Sequence, residues 1–97
     1  MRSENNYAFK YACSNGHLEV VKYLYSLGLT IEDIRSENNY AFRWASRNGY
    51  LEVIKYLYSL GLTIKDVKSN DNEAFRYASE NEHLEVVEFI NTIINNN

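Results

Sequence analysis

The side chains of this chain that could do chemistry are few: one thiol, Cys13, two imidazoles, His17 and His83, and two columns of charge recurring at equal intervals. A thiol beside a base would suit nucleophilic catalysis, but no Ser/His/Asp set, paired cysteine or Gly-rich phosphate loop accompanies it. Serines hold the equivalent places at Ser46 and Ser79, so Cys13 reads as a small packed residue. The imidazoles stand two intervals apart with Tyr50 between them, too distant to share a metal. Glu19, Glu52 and Glu85 recur as a carboxylate column, yet stacked about a helix diameter, ~10 Å, apart they cannot act as a pair. The sequence therefore predicts no catalytic residue, no metal and no cofactor. The basic column Lys10, Arg43 and Arg76 is of another kind, because guanidinium beside tyrosine is the usual make-up of a protein interface.

These columns exist because the chain repeats itself. Residues 2–34 laid over 35–67 agree at 25 of 33 positions, and a third copy, 68–97, agrees with the second at 11 of 30. A fixed period of this length means stacked units, none of which buries its apolar face alone. The 97 residues make one domain, 1–97, with repeats 2–34, 35–67 and 68–97. There is no proline and there are only four glycines, a composition that favours helices joined by short turns. A net charge of −3 argues against a general attraction to nucleic acid or anionic lipid. No apolar run is long enough to cross a bilayer, and residues 1–6 hold no apolar segment that would serve as a signal peptide. A single cysteine excludes an internal disulfide framework. An intracellular, cytoplasmic protein is expected.

Within a unit two helices can be read. The first spans about Asn6 to Asn15, with Ala8, Phe9 and Ala12 on one face and Tyr7, Lys10 and Ser14 on the open side. The second spans about His17 to Leu27 and ends at Gly28, as its copy ends at Gly61. Its apolar residues cover more than half the circumference, which predicts a helix sandwiched between neighbours. In the connector from Gly28 to Ser36, Leu29 and Ile31 alternate as in an extended segment anchored to the core. Small alanines bring the first helices of adjacent units close, while bulky Tyr, Leu and Val hold the second helices apart. The stack must curve, with the first helices and connector tips on its concave side. Tyr11/Trp44/Tyr77 and Tyr23/Tyr56/Phe89 are read as core columns, and Tyr25 and Tyr58 as packing between repeats with a wet hydroxyl.

The run Asn15-Gly16-His17-Leu18-Glu19-Val20-Val21-Lys22-Tyr23-Leu24, together with the 33-residue period, resembles the ankyrin repeat family. Its second copy, Asn48 to Leu57, closes at Gly61 in the same way. The resemblance implies an all-α solenoid of three stacked helix-turn-helix repeats with short hairpin-like connectors. It further implies a non-catalytic module that binds a protein partner on its concave helix face and connector tips. There are departures from the family pattern. Tyr7-Ala8-Phe9-Lys10 and Tyr40-Ala41-Phe42-Arg43 replace the usual Thr-Pro-Leu-His, and Asn5 or Asn38, a residue type that tolerates a left-handed backbone, replaces a turn glycine. This Asn- and Tyr-rich dialect is similar to arrays of large DNA viruses of amoebae and of some protists.

The partner surface expected from this reading comprises Tyr7, Lys10, Ser36, Glu37, Asn39, Tyr40, Arg43, Arg47 and Arg76. Two alternatives stay open for its basic column: contact with acidic groups of a partner, or pairing with neighbours such as Glu37 or Asp71. Ser14/Arg47/Glu80 is the position that varies most in charge between copies. The last repeat reads as a C-terminal cap, since Tyr25 and Tyr58 become Asn91 and Lys22 and Lys55 become Glu88. Glu82 stands where Gly16 and Gly49 stood, a strain of roughly 1 kcal/mol if a positive φ is kept. The first repeat shows no such adaptation. Its apolar face implies the end of a longer array, weak homo-association, or plain exposure. The partner is expected to be a protein of unknown identity, with no nucleic acid and no membrane.

Overall fold

Each of the first two repeats folds into two antiparallel helices followed by a short third one, and the last is a helix pair. The computed structural model describes residues 2–95, with side chains from Asn6 onward. The elements are α1 (Arg2–Ser14), α2 (Leu18–Ser26), α3 (Ile31–Ile34), α4 (Ser36–Arg47), α5 (Leu51–Ser59), α6 (Ile64–Val67), α7 (Ser69–Glu80) and α8 (Leu84–Asn95). No strand occurs among the described residues. Helices α1, α4 and α7 form a tightly packed inner row, whereas α2 and α5 of the outer row touch only lightly. That difference follows from the buried alanines Ala12, Ala41, Ala45, Ala74 and Ala78, which admit close approach on the inner side. Phe9, Phe42, Val21, Ile54, Leu57 and Ile90 fill the space between the rows. Each such side chain withdrawn from water contributes on the order of 1.5–3 kcal/mol.

The turn within a repeat is fixed by a left-handed glycine. Gly16 has φ 75°, and the next amide, His17 N–H, reaches back to the Ala12 carbonyl at 2.9 Å. This is the bond that closes a Schellman-type helix end. Glycine is needed here for a second reason. A Cβ on Gly16 would lie 2.5 Å from the Tyr50 ring, and one on Gly49 2.5 Å from the His83 imidazole. Each turn thus seats a ring from the following repeat. Glu82, at the third such position, keeps the left-handed backbone with φ 61° and is exposed. No further ring presses on it.

The connectors differ from the extended, hairpin-like form expected. Thr30 opens a one-turn helix by a capping box: its hydroxyl accepts the Asp33 N–H at 3.3 Å, and Asp33 accepts the Thr30 N–H at 2.8 Å. Thr63 and Asp66 repeat the motif. These local bonds outweigh the alternation of Leu29 and Ile31, and Ile31 and Ile34 turn to helical spacing instead. Behind the short helix the chain makes a full left-handed turn, Glu37, Asn38 and Asn39 having φ of 54°, 58° and 61°. Asn70, Asp71 and Asn72 do the same. Asn and Asp are the non-glycine residues that enter this region at least cost. Asn38 behaves as its sequence position implies, with a neighbour on either side joining it.

Candidate partner-binding face

The connector tips are wired to one another by carboxylates. Asp66 is buried and receives Arg35 Nε at 3.0 Å from each oxygen, and Asn39 Nδ2 at 3.1 Å. Asn6 Nδ2 reaches Asp33 at 3.1 Å in the same way. Burial alone would raise the Asp66 pKa. The Thr63 amide, Asn39, Arg35 and the Thr63 hydroxyl outweigh it and hold the carboxyl below its usual range. Ser36, half-buried, and Asn39, buried, lie at the base of the tip, while Glu37 is exposed on it.

On the inner helices the basic column divides. Lys10 Nζ pairs with Glu37 at 2.7 Å and lies 5.5 Å from the Tyr40 ring centre. Arg43 is fully engaged: Nη1 to Glu73 at 2.7 Å, Nε to the Asn38 carbonyl at 2.9 Å and Nη2 to the Glu37 carbonyl at 3.0 Å. It clamps the left-handed turn and ties it to the next repeat. Arg76 donates to the Asp71 carbonyl at 3.0 Å and lies 5.7 Å from the Tyr77 ring. Lys10 and Arg43 thus pair with acidic neighbours, while Arg76 meets a main-chain carbonyl and a ring. The Arg47 guanidinium carbon lies 4.7 Å from the Trp44 ring centre and 4.6 Å from that of Tyr77, and no described residue hydrogen-bonds or ion-pairs with it.

The column Tyr11/Trp44/Tyr77, expected in the core, lies on this open face instead. Tyr11 is 62% exposed, and Trp44 and Tyr77 are half-buried. The spacing carried the signal: Tyr11 and Trp44 follow Tyr7 and Tyr40 by four residues, so each pair shares one side of its helix. Tyr40 and Trp44 are stacked with ring centres 5.7 Å apart. A hollow of about 180 Å³ opens beside them, lined by Tyr7, Lys10, Tyr11, Ser14, Glu37 and Tyr40. On the outer row Tyr25 meets Tyr56, and Tyr58 meets Phe89, edge to face across the repeat boundary. Tyr23, which has no preceding ring, is 64% exposed rather than in the core.

Cys13 is completely buried, and that burial pushes its thiol well above the usual range. Among the described residues no group of three or more His, Cys, Asp or Glu side chains converges as a metal site would require. No described helix is long and apolar enough to cross a membrane. What the inner face offers is rings, one unpaired guanidinium and a bordering rim of polar tips.

No curated protein and no solved structure matches the chain significantly. A family profile described as ankyrin repeats in three copies matches residues 9–96, nearly the whole length. With that span matched, and with three helix pairs stacked in register, the chain belongs to the ankyrin repeat family.

Proposed function

We propose that this chain is an intracellular, non-catalytic interaction module that holds a protein partner against the inner helices and connector tips. Ankyrin repeats are in general protein–protein interaction modules. The observation that carries the reading here is the exposed aromatic row, with Tyr7 71% and Tyr11 62% exposed beside Tyr40, Trp44 and Arg47. Large rings left in water beside arginine are characteristic of interface centres. Ser36, Glu37 and Asn39 border the contact, while Lys10, Arg43 and Arg76 hold the surface in shape and shade its potential. Affinity capture with wild type and with a Tyr7→Ser/Tyr11→Ser/Arg47→Glu variant tests the assignment. Lost capture supports the inner face, provided that an outer-row variant, Lys22→Glu/Lys55→Glu, still captures. Equal capture by all three proteins refutes it.

A second reading, a structural or self-associating segment, is favoured by one observation. Val20 is 46% exposed where its counterparts Val53 and Val86 are 1% exposed, and Leu27 is 51% exposed where Ile93 is 6%. The face of the first repeat has the composition of a stacking face with nothing on it. Sedimentation velocity across a concentration series separates this reading from the first. A monomer at every concentration ends the self-association version.

A further inference from the structure

Arg47 differs from the other arginines described on the inner face. Arg43 and Arg76 spend donors on carbonyls of their own left-handed turns, and Arg43 also satisfies Glu73. Arg47 is held only by rings, Trp44 one turn back on its own helix and Tyr77 on the next repeat, at 4.7 and 4.6 Å. Ring contacts engage the faces of a guanidinium and leave its N–H edges free. The side chain is therefore ordered before any partner arrives, and the rotamer entropy usually lost on binding is already lost. Of the neighbouring cations on this face, Lys10 is neutralised by Glu37 and Arg43 by Glu73, while Arg76, 5.7 Å from the same Tyr77 ring, spends only Nε on a carbonyl. Arg47 thus stands on the inner face as a planar positive group preset by two rings, with no hydrogen-bond or ion-pair partner among the described residues.

Resting on the reading that the inner face binds a partner, we propose that Arg47 is a preset anchor for an acidic side chain carried by an extended segment of that partner. A planar carboxylate accepts two parallel N–H bonds from such an edge. The rings of Tyr40, Trp44 and Tyr77 exclude water around the pair and pack against the flanking apolar atoms of the segment. Glu80, which holds the same place one repeat on, is exposed and repels a second acid there, so the site selects one carboxylate rather than an acidic run.

Trp44 is the sole tryptophan of the chain, so its emission reports directly on the neighbour it touches. The probes are blocked octapeptides in which one Glu, Gln, Lys or phosphoserine sits between Gly, Leu and Ser residues, titrated against wild type, Arg47→Met and Lys55→Met. Methionine keeps most of the aliphatic stem while removing the charge. The expected result is a saturable change of Trp44 emission with the Glu peptide. Affinity falls about tenfold to a hundredfold for the Gln peptide and for Arg47→Met, and is unchanged for Lys55→Met. Equal binding of Glu, Gln and Lys peptides, undiminished in Arg47→Met, overturns the anchor while leaving the inner face as a binding surface. Tighter binding of the phosphoserine peptide than of the Glu peptide overturns the carboxylate assignment in favour of phosphate. Failure of every peptide to bind overturns the anchor, and lost affinity capture by the inner-face variant would still uphold the face.

Discussion

Removing the Asp66 carboxylate tests whether the connector tips are held by one shared group. Asp66→Ala deletes the acceptor of the Thr63 capping box, of Asn39 and of Arg35 together. Loss of the cap costs about 1 kcal/mol. Leaving the buried Asn39 amide without its acceptor costs about 1–3 kcal/mol more. The Arg35 contact, a third exposed on its basic side, adds no more than about 1 kcal/mol. Because the three share one carboxylate they are not additive, and the expected loss is about 3 kcal/mol. Urea unfolding followed by far-UV circular dichroism measures it. Asp66→Asn, which keeps the shape and one acceptor oxygen, should lose about half as much. The same carboxyl fixes the sign of a pH effect. Its folded pKa lies below the unfolded value of about 3.9, so its contribution is complete above about pH 4 and is lost as pH falls through the folded value. The gap between wild type and Asp66→Asn should therefore be constant near neutrality and close in acid. A loss under about 1 kcal/mol for Asp66→Ala, or a gap that persists in acid, refutes the shared-group account.

Other outcomes follow from the same packing. Gly49→Ala brings a methyl against the His83 ring and forces alanine to φ 84°, which should cost about 2–3 kcal/mol by urea unfolding. Glu82→Gly, relieved of that backbone strain with no ring opposing it, should gain about 1 kcal/mol in the same assay. Ser46 is buried with its hydroxyl unpartnered, so Ser46→Ala should be neutral or stabilising by about 1 kcal/mol in thermal melts. Arg43→Met should cost about 2 kcal/mol, since it leaves Glu73 with only the Asn70 amide as a partner, and should raise amide hydrogen exchange at residues 37–39.

The two long helices and the turn glycines are legible in the residues because they rest on local physics. Periodicity places Phe9, Ala12 and Phe42 inward, and Gly16 stops a helix whatever surrounds it. The one-turn helix of the connector is hidden by the alternation of Leu29 and Ile31, while the Thr30/Asp33 pair that decides the matter is a capping box three residues apart. Arg43 shows the limit on the functional side. Its place on the open face follows from the sequence, but that Asn38, Glu37 and Glu73 consume its donors depends on the left-handed turn extending from Asn38 to Glu37 and Asn39, where a tolerant residue at one position does not require it. Arg47 differs because its rings come from two repeats, and only the stacking distance brings Tyr77 beside it.

Near-identical repeats act as internal controls on one another, and the comparison separates what a residue is from where it stands. Val20 and Val53 are the same residue on the same helix position, so their 46% and 1% exposures differ only through the presence of a preceding repeat. Gly49 and Glu82 reverse the case: the backbone is left-handed at both, and a side chain is admitted only where no following ring claims the space. Sequence drift among the copies therefore tracks contacts between repeats as well as surface freedom. At Ser14, Arg47 and Glu80 one helix position is small, basic and acidic in turn, and only the middle copy sets its side chain between two rings, Trp44 and Tyr77.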